Sequence, residues 1–98
     1  MTPRKSRLVF TAAAANDLAR LRAFVAEYDP AAARRIAADL VKRIELVRTT
    51  PLIGRAVEVA PDPRAIRDMV FGDYIVRYAV AAHSIAVLRV WHHFERRR

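Results

Sequence analysis

The chain contains no cysteine. That excludes a disulfide framework, a thiolate nucleophile and any cysteine-based metal site, and it fits a reducing compartment. No stretch approaches the roughly 20 apolar residues of a membrane span. The basic start is followed by apolar positions broken by Asn16, Asp17 and Arg20, which is not the form of a signal peptide. A soluble, cytoplasmic protein without membrane contact is expected. Glycine is scarce, at two residues, and neither a Gly-rich phosphate loop, a cluster of metal ligands nor a Ser-His-Asp pattern is present, so no cofactor and no metal are expected. Repeats, low-complexity tracts and linkers are also missing. At 98 residues the sequence reads as one domain spanning 1–98.

Negative charge is in short supply too. Ten Asp and Glu face eighteen Lys and Arg, for a net charge of +8, and only Lys5 and Lys42 among the bases are lysine. An acidic partner follows naturally, either nucleic acid or an acidic protein surface. An anionic membrane fits less well, because no helical pattern joins a wide apolar face to a lysine-rich one. The plainer alternative is that the charge only keeps a small domain soluble. It leaves the cluster at Arg96, Arg97 and Arg98 without a reason.

What the chain does have is a β-rich last third. Ile66 to Phe71, Tyr74 to Val80 and Ser84 to His93 are rich in Val, Ile, Tyr and Trp, and short segments at Gly72-Asp73 and Ala82-His83 separate them at hairpin spacing. Strict alternation places Tyr74, Val76, Tyr78 and Val80 on one face and Ile75, Arg77 and Ala79 on the other. The same rule groups Ala86, Leu88, Val90 and His92 apart from Ile85, Val87, Arg89 and Trp91. A meander with one apolar face needs a cover.

The first half supplies that cover. Arg7 to Phe10 reads as a short edge strand. Thr11 is a helix N-cap, and Ala14, Leu18, Leu21, Val25 and Tyr28 form an apolar stripe over 12–27. Asp29-Pro30 restarts the chain as a second helix, an acid at the cap and proline at the first helical position. Ala33, Ile36, Ala37, Leu40, Ile44 and Val47 are its stripe, up to Arg48. So short a connection makes the two helices an antiparallel hairpin. Residues 51–64 hold Pro51, Pro61, Pro63 and Gly54 and read as an irregular connection. The expected fold is α+β: an N-terminal edge strand, the helical hairpin, then a three-stranded antiparallel meander, making a four-stranded sheet covered by two helices.

Four segments carry a family resemblance. Asp-Pro-Ala-Ala-Ala-Arg-Arg-Ile (29–36), Thr-Pro-Leu-Ile-Gly-Arg-Ala-Val (50–57), Ile-Arg-Asp-Met-Val-Phe-Gly-Asp-Tyr-Ile-Val-Arg-Tyr-Ala-Val (66–80) and Val-Leu-Arg-Val-Trp-His (87–92) resemble, in this order, the ParE branch of the RelE/ParE toxins. The resemblance implies the toxin half of a type II toxin-antitoxin pair, a growth inhibitor associated with plasmid stabilisation and held inactive by a cognate antitoxin. ParE-like members inhibit DNA gyrase; RelE-like members are ribosome-dependent mRNA endonucleases. Cleaving RNA needs a group to activate the 2′-hydroxyl, a cation for the phosphate and an acid for the leaving oxygen. Positions matching the RelE-type residues are here Ile75, Phe94, Ile66 and Asp68. Only His93 matches a histidine that some ribonuclease members use. Three readings follow: a gyrase-binding toxin without a catalytic centre, an mRNA endonuclease using His93, and a basic interaction protein that kept the fold but not the toxicity.

The candidate contact residues carry paired readings. Arg67, Arg77 and Arg89 form either a basic sheet face for target or antitoxin, or ordinary solvated positions. Trp91 is either an interface anchor or a half-buried cover. His92, His93, Arg96 and Arg97 belong to a tail that orders on a partner or stays a free terminus. Tyr74 and Tyr78 are assigned to the core.

Overall fold

The computed structural model describes residues 7–27, 29–57 and 65–92. Its elements are β1 (Arg7–Phe10), α1 (Ala12–Ala26), α2 (Pro30–Val47), β2 (Arg55–Ala56), β3 (Ile66–Phe71), β4 (Tyr74–Val80) and β5 (Ser84–His92). Both helix starts form as their cap residues dictate. The Thr11 hydroxyl accepts from the Ala14 N–H, and Asp29 accepts from the N–H groups of Ala31 and Ala32 with Pro30 behind it. Tyr28 lies outside the described residues.

The α+β class holds, with two differences of detail. The described sheet has five strands rather than four, in the order β1-β5-β4-β3-β2, and it is mixed: β1 occupies an edge but runs parallel to β5. The extra strand is the two-residue β2, formed inside the expected irregular connection, where Arg55 and Ala56 pair with Asp68 and Arg67. Gly72 turns the β3–β4 hairpin at φ 57°, a conformation that costs glycine little and other residues more.

One residue corrects the expected faces of β5. Arg77 pairs with Arg89 but Tyr78 pairs with Val87, so Leu88 is a β-bulge. The bulge resets the alternation. Ile85 and Val87 therefore join Val90 beneath the helices instead of sharing a face with Arg89 and Trp91. The core comprises Val76, Tyr78, Ile85, Val87 and Val90 from the sheet against Ala14, Leu21, Leu40, Ile44 and Val47 from the helices.

The connection after α2 is pinned from below by Tyr78. Its buried hydroxyl donates to the Pro51 carbonyl at 2.8 Å and accepts from the Gly54 N–H at 2.8 Å. Burial, relieved in part by the Gly54 bond, pushes the phenol's pKa up, so it stays a donor. Gly54 has no room for a side chain: an added Cβ would lie 2.7 Å from the Tyr78 hydroxyl and 2.8 Å from the Asp68 carbonyl oxygen.

Candidate functional site

The face of the sheet turned away from the helices gathers Arg77, Arg89 and Trp91. Arg77 and Arg89 are direct cross-strand partners, and Ile75 is opposite Trp91. The guanidinium carbons stand 5.0 Å and 5.5 Å from the centroid of the Trp91 ring, within cation–π range. Each arginine is held by a carboxylate through two hydrogen bonds. Arg77 donates Nε–H and Nη2–H to Asp68 at 2.8 and 3.0 Å, an attachment that raises the arginine pKa. Arg89 donates the same two groups to Asp17 at 2.7 and 3.1 Å. Such bidentate pairs fix the plane of the guanidinium as well as its position.

Asp17 is the residue that sequence reasoning missed. It is 2 % exposed and lies in α1 three residues after Ala14 and four before Leu21, on the apolar stripe itself. A lone acid at such a spacing was the available signal. Its role comes from strand lengths. β1 stops at Phe10, opposite Val87, while β5 continues to His92, so among the described residues the rest of β5 has no strand on that side. The start of α1 takes over: the Thr11 hydroxyl donates to the Leu88 carbonyl at 3.0 Å, and the Asp17 carboxylate accepts from the Val90 N–H at 2.9 Å. Arg20 donates to the same carboxylate at 2.7 Å. Burial by itself would raise the Asp17 pKa. The hydrogen bonds from Arg89, the Val90 N–H and Arg20, with the charge of Arg89, outweigh it and lower the pKa from 3.8 to about 2.

Other expected site residues are dispersed. Arg67 pairs across to Tyr78, so it shares the helix-side face and not the open one, and its Nε–H donates to the Gly54 carbonyl at 2.8 Å. The expected basic face of three arginines is thus two arginines, each tied to a carboxylate. His92 ends β5 opposite Tyr74, with the rings edge to face at 5.3 Å. His93, Arg96 and Arg97 lie outside the described residues, as do Phe94 and Arg98. Among the described residues, no three His, Asp or Glu side chains converge to hold a metal ion, and no helix is long and apolar enough to cross a membrane.

Comparison with known proteins places this arrangement in a family. The family model described as the ParE toxin of the type II toxin-antitoxin system parDE matches residues 8–96. Toxin RelE1 of Caulobacter vibrioides is 35% identical over 86 residues, covering 86% of this chain and 89% of that protein. Among solved structures, the chromosomal ParDE system from P. aeruginosa superposes with a TM-score of 0.72 at 20% identity, over 90% of this chain and 96% of that one. A chain of the toxin-antitoxin complex RelBE2 from Mycobacterium tuberculosis gives 0.68 at 22% identity, over 91% and 99%; at these identities the two structures speak for the fold. The family match over nearly the whole length, together with the curated relative, makes this chain a member of the ParE toxin family within the RelE/ParE superfamily of type II toxin-antitoxin toxins.

Proposed function

We propose that this toxin acts in the cytoplasm by binding DNA gyrase, through contact rather than through a catalytic centre of its own, and that a cognate antitoxin neutralises it. The observation that carries this reading is the open-face cluster, in which Asp68 and Asp17 clamp Arg77 and Arg89 beside Trp91. A tryptophan flanked by two fixed guanidinium groups has the composition of a binding hot spot. Positions that match the RelE-type nuclease residues support the same conclusion. Ile75 is 3% exposed, and Asp68 puts a carboxylate where a cation would meet the phosphate. The antitoxin partner is supported by the structural neighbours, which are a ParDE system and a RelBE2 toxin-antitoxin complex.

The test is to induce the protein alone in a bacterial host and to assay plasmid supercoiling and bulk mRNA integrity in the same cells. Loss of supercoiling with intact transcripts is expected. Cleaved transcripts with normal supercoiling would overturn the proposal in favour of an mRNA endonuclease using His93. Growth with neither effect would leave a non-toxic interaction protein.

A further inference from the structure

The strand register aligns more of the open face than the cluster around Trp91. Arg55 pairs with Asp68, Asp68 with Arg77, and Arg77 with Arg89, so four charged residues stand in one row across β2, β3, β4 and β5. The next row on the same face is apolar: Val70 pairs with Ile75, and Ile75 with Trp91. Neighbouring strands lie roughly 4.8 Å apart, which makes the charged row about 14 Å long and the apolar row about 10 Å.

The β2 end of the charged row is its unpaired end. Both oxygens of Asp68 accept from Arg77, and Asp17 holds Arg89, so those two charges are balanced. Arg55 is exposed, and no carboxylate among the described residues pairs with it. Val70, its diagonal neighbour across the strands, is 62 % exposed. The two side chains line one cleft of about 240 Å³ at this edge of the sheet, with Leu46, Ile53 and Met69 as its apolar walls and Arg43 as a second cation. The edge itself is open there: among the described residues β2 pairs only with Arg67 and Asp68, so no strand lies beside Val70.

We propose that Arg55, Val70 and the edge cleft extend the target-binding surface across β3, and that they receive an acidic segment of the target protein, with an apolar side chain in the cleft and a carboxylate of the same segment on Arg55. The proposal rests on the gyrase-binding reading of the preceding section and names the chemistry of the contact. Continuity carries it: Asp68 both clamps Arg77 and lines the cleft, so a partner seated on Arg77 and Trp91 reaches Arg55 within two strand spacings, about 10 Å. The guanidinium fork presents parallel N–H groups that match the two oxygens of a carboxylate. A phosphate chain fits less well. It would need a run of unpaired cations, whereas here Asp68 interrupts the row and apolar side chains lie along its flank.

The experiment measures the affinity of the full-length chain for purified DNA gyrase, for the wild type and for Arg55→Glu, Val70→Asp and Arg35→Glu, with a thermal midpoint on each variant as the check of folding. Arg35 is exposed on α2, outside both rows, so it controls for reversing a surface charge. Arg55→Glu and Val70→Asp are each expected to weaken binding by about tenfold or more, with Arg35→Glu within about threefold. Arg55→Lys, which keeps the charge but not the fork, should fall between. Hydrogen exchange on the wild-type complex reads the same surface without any variant: the amides of Arg55, Ala56 and Val70 should slow when gyrase binds. Folded Arg55→Glu and Val70→Asp variants that bind gyrase like wild type, or a complex that leaves those amides unchanged, would overturn the proposal. So would variants that keep their gyrase affinity but lose affinity for a single-stranded RNA oligomer or for the co-expressed antitoxin, which would assign the edge to nucleic acid or to the antitoxin. A wild-type chain that binds no gyrase is a separate outcome: it removes the gyrase reading itself, and the proposal with it.

Discussion

Asp17 is the residue on which the architecture of the open face most depends, because one carboxylate serves the β5 backbone, Arg89 and Arg20 together. Its folded pKa, about 2, lies below the ordinary 3.8. The sign is therefore that of a depressed acid: its stabilisation is complete above about pH 4 and is lost as pH falls toward 2. About two pKa units correspond to roughly 2–3 kcal/mol. Urea unfolding at pH 5, 3 and 2, followed by circular dichroism, should show wild-type stability falling over this window and Asp17→Asn showing a shallower fall from a lower start. Equal slopes for the two proteins would show that Asp17 is not the titrating group. A second prediction concerns Gly54. An alanine there meets the backbone oxygen of Asp68, which cannot swing aside, so Gly54→Ala should cost about 1–3 kcal/mol. A thermal midpoint within a degree of wild type would show that the connection yields instead. The sequence shows neither constraint directly. A glycine between Ile53 and Arg55 looks like a turn, and only the arrival of Tyr78, 24 residues away, makes it a close approach.

Elements whose signals are local were legible. Thr11, Asp29-Pro30 and Gly72 act through hydrogen bonds or dihedral angles of their immediate neighbours, and the helices and the β3–β4 hairpin form where those residues place them. What depended on distant pairing was not. The direction of β1 beside β5 is set by contacts across 77 positions, as in the Thr11 bond to Leu88, and the two residues of β2 are too short to show a period. The bulge at Leu88 was illegible for a different reason. It is neither a glycine nor a turn residue, so nothing marks where the period of two slips. Its importance can be tested by deletion. Removing Leu88 would leave Arg89 and Val87 adjacent opposite Arg77 and Tyr78, restoring strict alternation with Ile85, Val87 and Val90 still on the helix side and Arg89 and Trp91 still on the other. The deletion variant is therefore expected to keep a cooperative thermal transition at a lower midpoint, because it loses the Thr11 bond to the Leu88 carbonyl, whereas Leu88→Ala, which keeps that carbonyl, should lose about 1 kcal/mol or less. A deletion variant with no cooperative transition would show that the fold needs the bulge itself and not only the faces it separates.

At the scale of the whole molecule, the sheet separates two surfaces of different chemistry. The helices pack on one side, and Arg77, Trp91 and Arg89 lie on the other. The sequence revealed the excess of positive charge but not its distribution, because the neutralising partners come from elsewhere in the fold: Asp68 from the neighbouring strand and Asp17 from 72 residues away. An open face that looked basic is largely paired, and its distinctive group is Trp91, the chain's single tryptophan. This separation leads to a prediction about how the two activities divide. Trp91→Ala removes the presented ring while both arginines keep their carboxylates, so the fold should hold. If the open face meets the target and the antitoxin binds elsewhere, target affinity should fall by about 2 kcal/mol, roughly 30-fold, while antitoxin affinity stays within about threefold. Arg89→Glu should behave differently. It sets a second carboxylate against buried Asp17 and should cost about 3–5 kcal/mol of stability, so antitoxin binding and growth arrest should fall together. Growth arrest, antitoxin affinity and thermal midpoint measured on both variants separate the cases. A folded Trp91→Ala protein that arrests growth as strongly as wild type would remove the open face from target recognition, and one that loses antitoxin affinity instead would place the antitoxin on the sheet.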